Sequence, residues 1–288
     1  MIELEFIEIP EYLKAFIRKI TLFKSRESIN YLQKITPSPY VCFSYNHCSI
    51  PAYQTSRKTY TFKHRLNLAG PKTDSGIYVK YNGVLHQILF EFKPCVFYSI
   101  FRKSPFGIEN QLVPLEGFES GKICHSLEET LKNLDETENQ IEIIGKYLVR
   151  KVEDNFQNIN RRIQGAAQTM QEKNGLISKS ELLDKSFLCE RHFNRQFKKW
   201  IGISPKQFSK LVQLHAIIDT LFHNRELKLQ EVALMYDFYD ASHFINYFKN
   251  LTTSCPSIFI RRNDHIAMNY YRKILPEKAR IKEYDLVN

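Results

Sequence analysis

Apolar and polar positions change their rhythm along the chain, and that change divides it. From about residue 28 to 120 the pattern is that of strands. YVCFSY (40–45), TYTF (59–62) and IYVKY (77–81) are rich in aromatic and β-branched residues and are separated by Pro, Gly, Ser and Asn. Asn82-Gly83 stands between IYVKY and VLHQILFEF (84–92). That dipeptide suits the positive φ angles of a type I′ turn, so the spacing predicts a hairpin, its second strand ending by Pro94. Residues 104–118 read as loops with short elements. From Ser126 the period lengthens: apolar residues at 127, 131 and 134, then at 141, 144, 148 and 152, predict amphipathic helices. Their stripe either packs on its own domain or forms a dimer contact.

Beyond residue 160 the helix signals sharpen. Ser178 to Glu181 predicts a capping box opening a short helix with Leu182 and Leu183 inward. After three residues of turn, CERHFNRQFKKW (189–200) puts Phe193 and Phe197 on one helical face, with Ile201 extending it. Ser204-Pro205 then caps and starts a long helix whose inner side carries Leu211, Leu214, Ile217, Ile218 and Leu221. The arrangement recurs. LLDKSFLCERHFNRQFKKWIGISP (182–205) and VALMYDFYDASHFINYFKNLTTSCP (232–256) both run as short apolar helix, turn, a helix with Phe at i and i+4, then Lys. A short helix, a tight turn and a second helix with a polar outer face form a helix-turn-helix, whose second helix fits the major groove.

Charge sharpens this reading. The 288 residues carry a net charge of +10, and the excess is uneven. Residues 157–288 hold 21 Lys and Arg against 13 Asp and Glu, whereas residues 1–156 hold 20 against 18. The basic C-terminal half points to an anionic partner, nucleic acid before a membrane surface. Hydrophobic content of 43% and aromatic content of 13% are those of a packed globular chain. No run of eighteen apolar residues offers a membrane span, and the acidic N-terminal stretch MIELEFIEIPEYLK does not read as a secretory leader. Six scattered cysteines without a CxxC pair fit free thiols in a reducing compartment, so a cytoplasmic location is expected.

Residues 160–262 resemble the DNA-binding domain of AraC-type transcription regulators. The resemblance rests on Leu183, Phe193, Arg195, Phe197, Lys198, Gly202, Ser204-Pro205 and Phe208 in the first unit. In the second it rests on Val232-Ala233, Phe238, Phe244, Phe248-Lys249 and Pro256. It implies two helix-turn-helix units joined by a long helix, with a first recognition helix near residues 190–200. Arg191, Asn194 and Arg195 fall where that family places base-contacting side chains, and the chemistry suits them: Arg grips guanine O6/N7 and Asn grips adenine N6/N7. Lys198 and Lys199 are expected on phosphates, as is Lys249. The second unit departs from the pattern. Asp237 and Thr253 stand at glycine positions, and Asn246 replaces the arginine that matches Arg195. Its outer face, Ala241, Ser242, Ile245 and Asn246, carries no charge. Ser242 and Asn246 are its expected base contacts, with a smaller share of the affinity. Gln213 in the linking helix stands where arginine is frequent.

The expected fold class is therefore α+β with two domains: a β-rich sensory or assembly domain over 1–125, a helical connector over 126–159 and an all-α DNA-binding domain over 160–262. A basic tail over 263–288 follows, which either packs on the domain or reaches phosphates. Expected partners are double-stranded DNA, RNA polymerase, an unidentified small-molecule effector and a second copy through the N-terminal domain or connector; no membrane partner is expected. The resemblance implies transcriptional control, activation more than repression. The alternative is an interaction module with a degraded second unit and little sequence-specific binding.

No Gly-rich phosphate loop, GxSxG elbow or HExxH occurs, so neither catalysis, cofactor nor metal is expected. A DNA-alkylation repair protein would need a cysteine-rich zinc cluster that is absent. Cys189 and His192 supply only two ligands, too few for a closed zinc site. Cys189 and Cys255 replace serine at helix starts, as tolerated small residues or as redox-sensitive thiols. His47-Cys48 and Cys124-His125 are read as ordinary packing pairs. Tyr45, Tyr60, Phe62, Tyr78, Phe90 and Phe92 either fill the β core or line an effector pocket.

Overall fold

Period-two stretches form strands first. The computed structural model describes residues 2–55, 59–61, 63–153 and 159–261. Its strands are β1 (Ile2–Ile7), β2 (Ile17–Ser25), β3 (Ile29–Lys34), β4 (Cys42–Asn46), β5 (Ala52–Gln54), β6 (Thr59–Tyr60), β7 (Leu66–Ala69), β8 (Tyr78–Gly83), β9 (His86–Phe92) and β10 (Leu112–Pro114). They make two antiparallel sheets, in the orders β1-β2-β9-β4-β7-β10 and β3-β8-β5-β6. β1 and β2 carry the β-structure to the N-terminus, beyond the expected 28–120 stretch.

Alternation sorts the two faces of the larger sheet. Ile20 and Leu22 of β2 and Ile88, Phe90 and Phe92 of β9 point into one core. There they meet α1 (Val96–Phe101), α2 (Gly121–Lys132) and α3 (Thr137–Glu153). Leu127, Leu131, Ile141, Ile144, Leu148 and Val152 belong to that same core. The helical stripe thus packs within its own chain, and the stretch expected as a connector contributes to the core of the sheet as far as Val152. The opposite face looks toward the smaller sheet. Leu4, Phe23, Tyr81 and Leu85 form an apolar cluster there, beside a polar layer in which Gln87 Nε2 donates to Asn46 Oδ1 (2.8 Å) and Ser44 Oγ (3.2 Å).

The expected hairpin across Asn82-Gly83 does not form. β8 pairs with β3 and β5, and β9 pairs with β2 and β4, so the dipeptide carries the chain from one sheet to the other. A type I′ turn needs two residues at positive φ, and only Gly83 (φ 112°) has it. Gly83 suits that crossing because its positive φ is one that side-chain-bearing residues rarely adopt.

The C-terminal region is helical: α4 (Arg161–Glu172), α5 (Lys179–Ser186), α6 (Glu190–Ile201), α7 (Pro205–His223), α8 (Leu229–Met235), α9 (Ala241–Thr252) and α10 (Pro256–Arg261). Its core joins Ile163 and Met170 of α4 to Phe193 and Phe197 of α6. It also takes in the inner face of α7, Val232 and Ala233 of α8, and Phe244 and Phe248 of α9. Ser204 and Gln207 cap α7 reciprocally, at 3.2 and 3.1 Å, with Pro205 in the first turn. At α5 only half of the expected box exists. Ser178 Oγ accepts from Glu181 N (3.2 Å), but the Glu181 carboxylate turns to Lys173 (2.6 Å) and Lys185 (3.2 Å).

The two regions are in contact. Tyr40 and Cys95 are buried in the helical core, Tyr40 stacking edge-on against Phe208 (6.3 Å) and accepting from Gln171 Nε2 (2.7 Å). The protein is thus a β-rich N-terminal region joined to a helical C-terminal region. The expected tail over 263–288, together with Phe62, lies outside the described residues.

Candidate nucleic-acid interface

Two aromatic anchors fix α6. Phe193 and Phe197 are 3% and 0% exposed, their rings 5.6 Å apart, and Phe197 meets Phe208 at 5.5 Å. The helix repeat then turns Arg191, Asn194, Arg195, Lys198 and Lys199 outward, and all five are exposed. Arg195 Nη2 donates to His192 Nδ1 (3.1 Å), which holds the guanidinium beside the helix. Cys189 occupies the N-cap without a side-chain bond, and Glu190 in the first turn pairs with Lys179 at 2.5 Å. Gly202 ends the helix at φ 96°.

α9 repeats this plan with different chemistry. Phe244 and Phe248 are fully buried, 6.1 Å apart, while Ser242, Asn246 and Lys249 are exposed. Asp240 supplies a true N-cap, accepting from His243 N (2.7 Å). One extra residue, Tyr239, precedes it and is 89% exposed. Asp237 (φ 58°) and Thr253 (φ 60°) do sit in left-handed backbone, as the glycine positions implied. Gln213, where arginine is frequent, ties the second unit to α7 by donating to Tyr236 O (3.1 Å); Tyr247 adds a bond from its hydroxyl to Lys210 O (2.9 Å).

The first turn holds a residue that sequence reasoning missed. Phe187 caps α5 at φ 53° with its ring 83% exposed. A bulky side chain there carries the left-handed cost with no packing to offset it. Phe187→Gly is therefore expected to stabilise the protein by about 1 kcal/mol, raising Tm by a few degrees in a melting experiment. An unchanged or lower Tm would show that the exposed ring has a stabilising partner.

The β-rich region reaches the far end of α6, which no local pattern revealed. Lys198 Nζ lies 3.7 Å from the centroid of the Phe106 ring and Lys199 Nζ 5.1 Å from that of Tyr98. Ser104 Oγ donates to Lys198 O (3.5 Å), and Tyr98 packs on the buried Trp200 at 4.4 Å.

A cavity of about 160 Å3 lies between the larger sheet, β3 and α7. None of the five described aromatics considered for an effector pocket (Tyr45, Tyr60, Tyr78, Phe90 and Phe92) lines it. Tyr45, Phe90 and Phe92 are core residues on the opposite face of the larger sheet, and Tyr60 and Tyr78 are half-buried in the smaller one. The lining instead carries four charged side chains, Lys19, Lys34, Lys72 and Glu91, beside His215, Gln33, Phe23, Ile35 and Leu89. Gln33 is 8% exposed and its Oε1 has no hydrogen-bond partner among the described residues. Glu91 pairs with Arg18 at 2.5 Å, outside hydrogen-bond alignment, and with Lys19 at 3.9 Å. Burial alone pushes the Glu91 carboxyl up, but Arg18 and Lys19 outweigh it and hold it at about 2. Burial, helped by Arg18, pushes the His215 ring down to about 4, so it stays neutral near pH 7. His215 Nε2 lies 2.8 Å from Pro37 O.

Elsewhere, His47 Nδ1 lies 3.0 Å from Tyr45 Oη and 3.1 Å from Gln140 Nε2, while Cys124 is buried in the core and His125 is exposed. Cys189 is exposed and Cys255 half-buried. Among the described residues no helix is long and apolar enough to cross a membrane.

Residues 182–262 match a family model described as a helix-turn-helix domain. No curated protein sequence matches the chain. Similar solved structures include ToxT from Vibrio cholerae, at 9% identity and TM-score 0.42 over 83% of this chain and 96% of that one. Unsaturated fatty acid-bound wild-type ToxT from Vibrio cholerae strain SCE256 is similar at 10% identity and TM-score 0.42, over 82% and 95% of the two chains. The AraC-like transcriptional activator CuxR is similar at 10% identity and TM-score 0.26, over 94% and 84%. With the paired helices, their buried Phe anchors and the linking helix in place, residues 182–262 form a helix-turn-helix domain.

Proposed function

We propose that the protein is a sequence-specific regulator of transcription, in which α6 and α9 enter successive major-groove segments about one helical turn (~34 Å) apart. The observation that carries this reading is the division of α6: two buried phenylalanines hold it while Arg191, Asn194 and Arg195 stand exposed on its outer side. Arg and Asn there offer bidentate bonds to guanine and adenine edges, whereas Lys198, Lys199 and Lys249 offer charge to phosphates. In α9, Ser242 and Asn246 offer hydrogen bonds without charge. Control enters through the N-terminal region, whose cationic cavity suits a small carboxylate with an apolar tail: ammonium groups meet the charge, and Phe23, Ile35 and Leu89 meet the tail. Activation through RNA polymerase and self-association through the N-terminal region belong to the same reading.

Alanine variants compared on one bound duplex test the division of labour. Arg195→Ala is expected to cost about 1–3 kcal/mol and to relax preference at one base pair. Asn246→Ala is expected to cost less. Lys198→Ala should weaken binding to all sequences alike and lower the salt slope by about 1. An Asn246→Ala loss exceeding that of Arg195→Ala would reverse the ranking of the two units.

A further inference from the structure

The two recognition helices end differently. α6 ends on Gly202, which adopts left-handed backbone without a Cβ penalty. α9 ends on Thr253, a β-branched residue forced to φ 60°, so its terminus is strained where the first is relaxed. At that weaker end stands a cation from the other half of the chain. Lys34, the last residue of β3, donates from Nζ to the Thr252 carbonyl (2.8 Å) and to Thr253 Oγ1. A cation on the final carbonyls of a helix satisfies an acceptor and complements the helix dipole. The same Lys34 lines the cationic cavity, next to the unpartnered Gln33 amide oxygen. Thus one ammonium group borders both the cavity and the end of the second recognition helix.

We propose that Lys34 couples the two: with the cavity free it clamps the C-terminal end of α9, and a carboxylate entering the cavity competes for its ammonium and releases that end. The clamp spans 218 positions of sequence and needs no movement of the sheets, only a change of partner by one flexible side chain. A released α9 frays at its last turn, and the second unit holds its segment of DNA less firmly. The first unit, anchored by Phe193, Phe197 and Gly202, does not depend on Lys34. The competition rests on the cavity being the effector site proposed above; the clamp does not.

The test is amide hydrogen exchange of the full chain, read over residues 249–253 of α9 with α6 and the larger sheet as internal references. Lys34→Met is expected to speed exchange there about threefold to thirtyfold and leave the references unchanged. Thr253→Val, which removes the hydroxyl acceptor but keeps the β-branch and leaves the cavity intact, is expected to act in the same direction by a smaller factor. Hexanoate, with its binding followed by calorimetry, is expected to speed exchange at 249–253 in the unsubstituted protein and to add nothing in Lys34→Met. No change at 249–253 in either variant would overturn the clamp. Hexanoate binding that leaves α9 unchanged would overturn the competition while the effector site stands. Absence of hexanoate binding, with both variants loosening α9, would overturn the effector site and the competition with it but leave the clamp.

Discussion

Phe197→Ala is expected to destabilise the protein by about 3–5 kcal/mol and to abolish sequence-specific DNA binding. The ring is fully buried, packs on Phe193 and Phe208, and sits in the core that also holds Met170 of α4 and Ile217 of α7. Removing it leaves a cavity under the helix that presents Arg191, Asn194 and Arg195, and the surrounding side chains come from several helices that cannot all collapse inward. The effect on binding should exceed that of deleting any single outward residue, because every contact of α6 depends on the helix staying seated. Urea unfolding and duplex titration on the same preparation check both parts. A loss below about 1 kcal/mol with specificity retained would mean that α6 is held by something other than its phenylalanine face.

The second large effect lies at the junction of the two regions. Glu91→Gln is expected to cost about 3–5 kcal/mol, since it leaves Arg18 and Lys19 beside each other without their carboxylate. Calorimetric unfolding should show the loss, and a near-neutral result would mean that water entering the cavity already solvates the pair. The same cluster gives the fold a defined acid sensitivity. The Glu91 carboxyl is lowered to about 2 on folding, so its stabilisation is complete above the usual carboxylate value of about 4.3 and is lost as pH falls through 2. His215 is also lowered, to about 4, so its contribution is complete above about 6.5 and is lost as pH falls through 4. Stability should therefore begin to fall below about pH 6.5, with the histidine first and the glutamate later.

The helical half was largely legible because its signals are local. Three- and four-residue spacing, Ser204-Pro205 and paired phenylalanines each act within a turn or two, and α5 to α9 form where they predict. Asn82-Gly83 is local as well, but pairing is not: which sheet receives β8 depends on β3 and β5, which no dipeptide encodes. IELEFI at β1 does alternate, and its apolar side includes the buried Ile2 and Leu4. The cavity was least visible. Lys19, Lys34, Lys72, Glu91 and His215 converge only through the tertiary fold, and each of the three lysines alone reads as a solvated surface charge. One signal was available: Glu91 interrupts the apolar run ILFEF of a central strand, where an unpaired charge would not be tolerated. The contacts of Phe106 and Tyr98 with Lys198 and Lys199 were equally hidden, since they join α1 and the short helical turn after it to a helix of the other region.

Selection of bound sequences from a random duplex pool, by the full chain and by its Arg195→Ala variant, tests sequence-specific readout most directly. The expected result is an enriched motif spanning about two helical turns, better defined on the side read by α6 and relaxed at one position by the substitution. Salt-sensitive binding with no enriched motif would contradict it, leaving the basic half with charge but no code and favouring an interaction module over a DNA reader.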